Sequence, residues 1–213
     1  NCFIVDVKEG ATVTLEERPD YLSGQTNFVT YIVRSGATLY LRRSTTSSSG
    51  WGIFDSNFIC HPDSKVVLDV VNGGSVYTQE NFYFDCSNNV NIIYDSRNPI
   101  RKGNQYHTFI NVNSSGPNNN GSVNTRIIGD ENTSTSFIGK FIVDKNSYNF
   151  NGDMQNQNLM LSNTAKMHTR PILDIKTKDI VCTHGCTISN VESEQIYYLI
   201  VEDSTNKKQR TYW

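Results

Sequence analysis

An all-β fold built as a β-solenoid is what this 213-residue sequence predicts, and three observations carry that reading. The first is a repeat: Gly10-Ala11-Thr12-Val13-Thr14-Leu15 returns as Gly36-Ala37-Thr38-Leu39-Tyr40-Leu41, 26 residues further on. Recurrence on this scale marks stacked coils, each unable to bury its apolar row until a neighbour covers it. The second is composition, with Val, Ile, Phe and Tyr supplying short strands and Asn, Ser and Gly the corners. The third is the near absence of a helical period before the C-terminal end. Evenly spaced short strands also suit a β-sandwich, which at this point stays open behind the solenoid.

Taken in order, Cys2 to Val7 and then Gly10 to Glu17 read as short alternating strand, turn and strand. Asn72-Gly73-Gly74-Ser75-Val76-Tyr77 is a weaker third copy of the repeat, and Phe137 to Val143 opens another strand pair. Two tracts, 44–50 and 111–124, are polar and read as exposed inserts at coil corners. The second holds Asn113-Ser114-Ser115 and Asn120-Gly121-Ser122, which match glycosylation acceptors, although an Asn/Ser-rich tract produces such triplets by chance. Towards the end, Leu173, Ile175 and Thr177, then Ile180 and Cys182, keep roughly to alternate positions, as a half-buried strand does. Ser189-Asn190-Val191-Glu192 then has the form of a helix capping box. Val191, Gln195, Ile196, Leu199 and Ile200 follow it on one helical face, so a short C-terminal helix is expected. The division predicted is a β-helix core over 1–188 and the start of a helical segment over 189–213.

Composition limits the function classes. A formal charge of −2 argues against a nucleic-acid partner, which would want a basic patch. No stretch approaches the ~20 apolar residues of a membrane span. No initiator Met, charged leader or cleavage site opens the chain, which reads as an internal fragment. The five cysteines, Cys2, Cys60, Cys86, Cys182 and Cys186, are odd in number and scattered, unlike a disulfide framework, and are expected to be reduced. On one strand Cys182 and Cys186 would lie about 13 Å apart at ~3.3 Å per residue, beyond disulfide reach.

Chemistry concentrates in Cys182-Thr183-His184-Gly185-Cys186. Residues i, i+2 and i+4 of a strand share a face, so two thiols and an imidazole form one row of ligands suited to iron–sulfur chemistry or zinc. From a straight strand all three cannot reach one metal, since bonds to sulfur are about 2.3 Å. At most two could, with the remaining ligands from another chain.

The segment resembles the Cys-[Ser/Thr]-His-Gly-Ala-Thr motif of the SufD subunit in the SufB/SufD family of iron–sulfur assembly scaffolds. Phe137-Ile138-Gly139 with Ile142-Val143 is similar to that family's Phe-x-Gly strand. Gln157-Asn158-Leu159-Met160-Leu161-Ser162 is similar to its Gln-x-Asn-Leu-Leu-Leu-Ser, and Arg170-Pro171 to its Lys/Arg-Pro pair. The likeness covers 107–199 well and 1–40 more loosely, and leaves 41–106 unplaced. SufB has Glu-His-Glu-Ala where this chain has Thr183-His184-Gly185, which favours the SufD side.

The resemblance implies a right-handed parallel β-helix and a scaffold rather than an enzyme. It implies a SufB-like partner and a transient iron–sulfur cluster formed at the interface, none being expected in the isolated chain. It places His184, and after it Cys182, at the assembly interface, with Thr183 and Gly185 at the partner seam. Gly185 is expected to mark a close approach or bulge. Cys186 stands where the family usually has Ala and is read as packing before an extra ligand. After Leu199 the pattern is lost, so the helical domain that contacts the SufC ATPase is expected to be absent, cut off or displaced. A homodimer is expected for the isolated chain.

The Asn-rich tracts point on composition to a plastid-type organelle, the apicoplast if the source is apicomplexan, and otherwise to a bacterial cytoplasm or chloroplast stroma. His61, His107 and His168 are read as structural, and Cys60 and His61 as facing opposite ways. A different class, an extracellular β-solenoid that binds or cleaves polysaccharide, would need paired carboxylates. Asp6, Glu16, Glu17 and Asp174 would form an acidic row only in one particular register, and a solvated face is the preferred reading.

Overall fold

The computed structural model describes residues 1–19, 24–45 and 50–191. Fourteen strands among them alternate between two seven-stranded parallel sheets. The first sheet stacks β1 (Cys2–Val7), β3 (Gln25–Val33), β5 (Trp51–Cys60), β7 (Tyr77–Cys86), β9 (Gln105–Ser114), β11 (Ser134–Val143) and β13 (Lys166–Ile175). The second stacks β2 (Thr12–Glu17), β4 (Thr38–Thr45), β6 (Lys65–Asn72), β8 (Asn91–Ile100), β10 (Asn120–Gly129), β12 (Phe150–Met160) and β14 (Ile180–Asn190). Each strand pairs in parallel with the strand two further along the chain, which is a parallel β-solenoid. A sandwich of antiparallel hairpins does not have this topology.

Strict alternation drives the coiling. In β6 and β8 every second residue is buried, so one face of each sheet turns into a shared interior. Parallel in-register pairing sets inward residues over one another at the strand spacing of roughly 4.8 Å. Tyr31, Phe58 and Phe84 occupy one such column, and their rings stack with centroids 4.6 and 4.5 Å apart.

The repeat seen in the sequence is a corner. Gly10 and Gly36 have φ of +67° and +66°, a conformation that suits glycine. Gly10 N–H donates to Ser35 O and Gly36 N–H to Pro62 O. The same ladder continues through Asp63, Asn89, Asn118 and Asn149, all at positive φ, each donating its N–H to the residue ahead of the equivalent position in the next coil. Asp and Asn tolerate this conformation through their short polar side chains. The third copy is therefore at Asp63, and Asn72-Gly73-Gly74, expected to be that copy, lies at the end of β6 on the opposite corner.

Four further expectations are corrected. The alternating run from Leu173 to Cys182 is two strands in different sheets, β13 and β14, with the chain turning at 176–179. The tract 111–124 is no insert: it is the end of β9, a corner and the start of β10. Its polarity is structural, since Asn119 is 1% exposed, donates to Ser87 O, Ser114 Oγ and Gly116 O, and accepts from Val90 N–H. Likewise Ser44 and Thr45 belong to β4, while 46–49 lie outside the described residues. The unplaced 41–106 segment forms ordinary coils, from β4 into β9. The core runs two residues past 188, because β14 takes in Ser189 and Asn190. The predicted helix from Glu192 onward lies outside the described residues.

Candidate functional site

β14 is the last strand of the second sheet, as β13 is of the first, and among the described residues neither has a strand on its far side. Open edges of this kind invite another chain. The register of β14 on β12 is unbroken from Phe150↔Ile180 to Met160↔Asn190. Cys182, His184 and Cys186 fall opposite Gly152, Met154 and Asn156, the inward row of β12. The sequence expectation that they share a face therefore holds. That face belongs to the last coil among the described residues: Cys182 is half-buried against the core, while His184 and Cys186 are exposed.

Thr183 and Gly185 take the opposite face. Thr183 Oγ1 donates to Asp153 Oδ1, and Gln155 Nε2 donates to the same carboxylate at 2.9 Å. A Cβ on Gly185 would collide with the Gln155 side-chain oxygen. What crowds Gly185 within this chain is the Gln155 side chain, and the continuous register shows no bulge there.

Burial raises the pKa of the Cys182 thiol, and the Asp153 charge adds to it. The thiol form is favoured at neutral pH, whereas soft-metal ligation needs the thiolate. Alkylation of Cys182 by iodoacetamide, followed by peptide mass spectrometry against pH, is expected to show a midpoint above the ordinary thiol range of about 8.5. Asp153→Asn should bring it down. A midpoint at or below the ordinary value would contradict the assigned environment.

All five cysteines are free. Among the described residues no group of three or more His, Cys, Asp or Glu side chains is placed to hold a metal. The other histidines sit apart. His107 Nδ1 is 2.8 Å from Ser136 Oγ, its ring lies 5.3 Å from Tyr77, and burial lowers its pKa, which keeps it neutral. His168 flanks Ser136 on the far side and is exposed, and His61 follows Cys60 at the end of β5.

The four carboxylates form no row. Asp6 pairs with Arg34 and Lys8, Glu16 with Arg18, and Asp174 with Lys140. Glu17 turns inward to Arg43 at 2.8 Å.

Two features escaped the sequence reading. Cys60 and Cys86 stack in register in the core, and the hydrogen bond with Cys60, with burial after it, raises the Cys86 pKa. Arg43 is fully buried between Glu17, Ser56 and Glu80, with Phe54 stacked at 3.8 Å. The signal for Arg43 was its parity with Leu39 and Leu41.

The family model for the SUF system FeS cluster assembly SufBD core domain matches residues 1–201. The chain belongs to the SufBD core-domain family. Among similar SufBD proteins, an iron–sulfur cluster assembly SufBD family protein of Synechocystis sp. is 36% identical over 74 residues, 35% of this chain and 16% of that protein. The iron–sulfur cluster assembly protein SufD of Escherichia coli K12 is 36% identical over 63 residues, 30% of this chain and 15% of SufD. The aligned stretch thus spans about a sixth of each relative's length. In this SufBD core, the Cys182–Cys186 strand is the last among the described residues.

Proposed function

We propose that this chain is a SufD-like scaffold subunit whose last coil, covered by a SufB-like partner, forms an interface at which an iron–sulfur cluster is assembled. The cluster is cargo, not a resident cofactor. The observation that carries the reading is the placement of soft donors: a SufBD-family solenoid presents Cys182 and His184 on its terminal strand, beside two open sheet edges. His184 supplies one ligand or proton acceptor and Cys182 a second. Cys186 contributes packing, and Thr183 and Gly185 line the seam. Ligands missing on one strand come from the partner, as the straight geometry requires.

The energy of assembly comes from a SufC-like ATPase, because no Gly-x-x-x-x-Gly-Lys-[Ser/Thr] phosphate loop occurs in the sequence. Without its partner the chain pairs with a second copy through the same edges. We place its work in a plastid-type compartment on composition alone.

Co-expression with a SufB-type subunit tests the interface. A stable complex in which Cys186 and Cys182 become resistant to a thiol reagent is the expected result. A complex that leaves both as reactive as in the isolated chain would remove the last coil from the interface.

A further inference from the structure

Inward positions of the second sheet stack Glu17, Arg43, Ser96, Thr125, Asn156 and Cys186 into one column, interrupted only by Val70. In the first sheet Glu80, Thr108 and Thr169 share another, interrupted by Phe137. Arg43 crosses the interior to Ser56 at 2.8 Å and approaches Glu80, so at this coil the two columns meet in one polar seam. On one side the second-sheet column is flanked by Leu41, Leu68, Tyr94 and Val123, on the other by Thr45, Asn72, Asn98 and Asn158, and the first-sheet column is flanked by Thr78, Tyr106 and Thr135.

Six polar atoms of the seam and of the first-sheet column flanking it have no hydrogen-bond partner among the described residues: Glu80 Oε1, Thr108 Oγ1, Thr125 Oγ1, Asn156 Nδ2 and Thr169 Oγ1 in the seam, and Thr135 Oγ1 beside it. Glu80, Thr108, Thr125, Thr135 and Asn156 are each no more than 3% exposed. Arg43 Nη1 is also unpartnered, lying 3.9 Å from Glu80 Oε1. Tyr94 Oη and Asn72 Nδ2 approach Thr108 and Glu80 without reaching hydrogen-bond geometry. Buried polar groups in folded proteins are almost always satisfied, by water where protein offers nothing. The choice of side chain points the same way. A dry interior would favour Val, which has nearly the shape of Thr and no hydroxyl to satisfy, yet Thr stands at 108, 125, 135 and 169.

We propose that the seam holds a file of internal water molecules along the solenoid axis, from the Arg43–Glu80 pair to the last coil. Each water bridges hydroxyls and amides of successive coils, where direct contacts between side chains do not close. At Asn156 the file meets Cys186, the next member of the column and an exposed one among the described residues. This stands independently of the function proposed for the last coil.

A high-resolution crystal structure of the whole chain is the direct test. Ordered density within hydrogen-bond distance of Thr108, Thr125 and Asn156 is expected, whereas rotated side chains that satisfy one another without water would overturn the proposal. Thermal unfolding of Thr108→Val and Thr125→Val gives a second readout. Where a water sits on each hydroxyl, the valine leaves it short of a partner, and the melting temperature should fall by about 2–4 °C per substitution in a chain of this size. If the hydroxyls are dry, valine removes an orphan and the melting temperature rises, which would also overturn it.

Discussion

Arg43→Ala is expected to lower stability by about 3–5 kcal/mol, the cost of leaving buried carboxylate charge without its partner. Urea unfolding at neutral pH would measure it. The guanidinium is fully buried. Burial opposes its charge, and Glu17, Tyr31 and Glu80 outweigh that opposition. Glu80 is equally buried, and burial raises its pKa, with Arg43 and Tyr106 pulling the other way. Glu17 differs, because its side chain is 21% exposed and reaches a cleft between the first two coils, where solvent can stabilise it.

Removing both fully buried charges should therefore be far milder than removing one. Arg43→Met combined with Glu80→Leu is expected to recover most of the loss. The pH dependence has a definite sign. A carboxyl whose folded pKa lies above its unfolded value holds its proton more tightly when folded, so stability falls as pH rises from the unfolded towards the folded pKa. In Arg43→Ala the raised value rises further, and the deficit should shrink as pH is lowered towards the carboxylate range. A deficit that grew on acidification would contradict the assignment of Glu80 as the stranded charge.

Phe58→Ala should cost a similar amount, about 3–5 kcal/mol, for an apolar reason. Phe58 lies between Tyr31 and Phe84 in a stack of three rings and is 1% exposed. Its removal opens a gap that neither neighbour can fill, because each is fixed by the strand spacing of its own coil. Phe58→Leu keeps much of the volume and should cost markedly less. Equal losses for the two variants, read from denaturant midpoints, would contradict the cavity account and assign the loss to ring stacking rather than to filled volume.

The sequence made the architecture legible where glycine marked the corner and obscured it where other residues did the same work. Gly10 and Gly36 exposed the first repeat, but the positive-φ position passes to Asp63 and then to Asn89, Asn118 and Asn149, so the Gly-Ala-Thr pattern fades while the coil persists. Polarity misled at 111–124 for a related reason: a solenoid corner buries backbone that Asn119 and Ser114 must satisfy, and those side chains look like loop residues. The donor row was legible because strand parity alone puts Cys182, His184 and Cys186 on one face. Its position on the terminal coil was not, since that depends on the register of β14 on β12. Arg43 was overlooked because a charged residue in a strand is ordinarily assigned to the solvent face, and only parity with Leu39 and Leu41 turns it inward.

The proposed assembly site on the last described coil stands or falls with His184. Anaerobic iron–sulfur reconstitution on the chain co-expressed with a SufB-type subunit, comparing wild type with His184→Ala by visible absorbance and iron content, reads it directly. Loss of most of the bound cluster from a complex that stays intact is the predicted result. Undiminished cluster in an intact complex would contradict the role given to His184 and return it to the ordinary exposed side chains of the terminal strand.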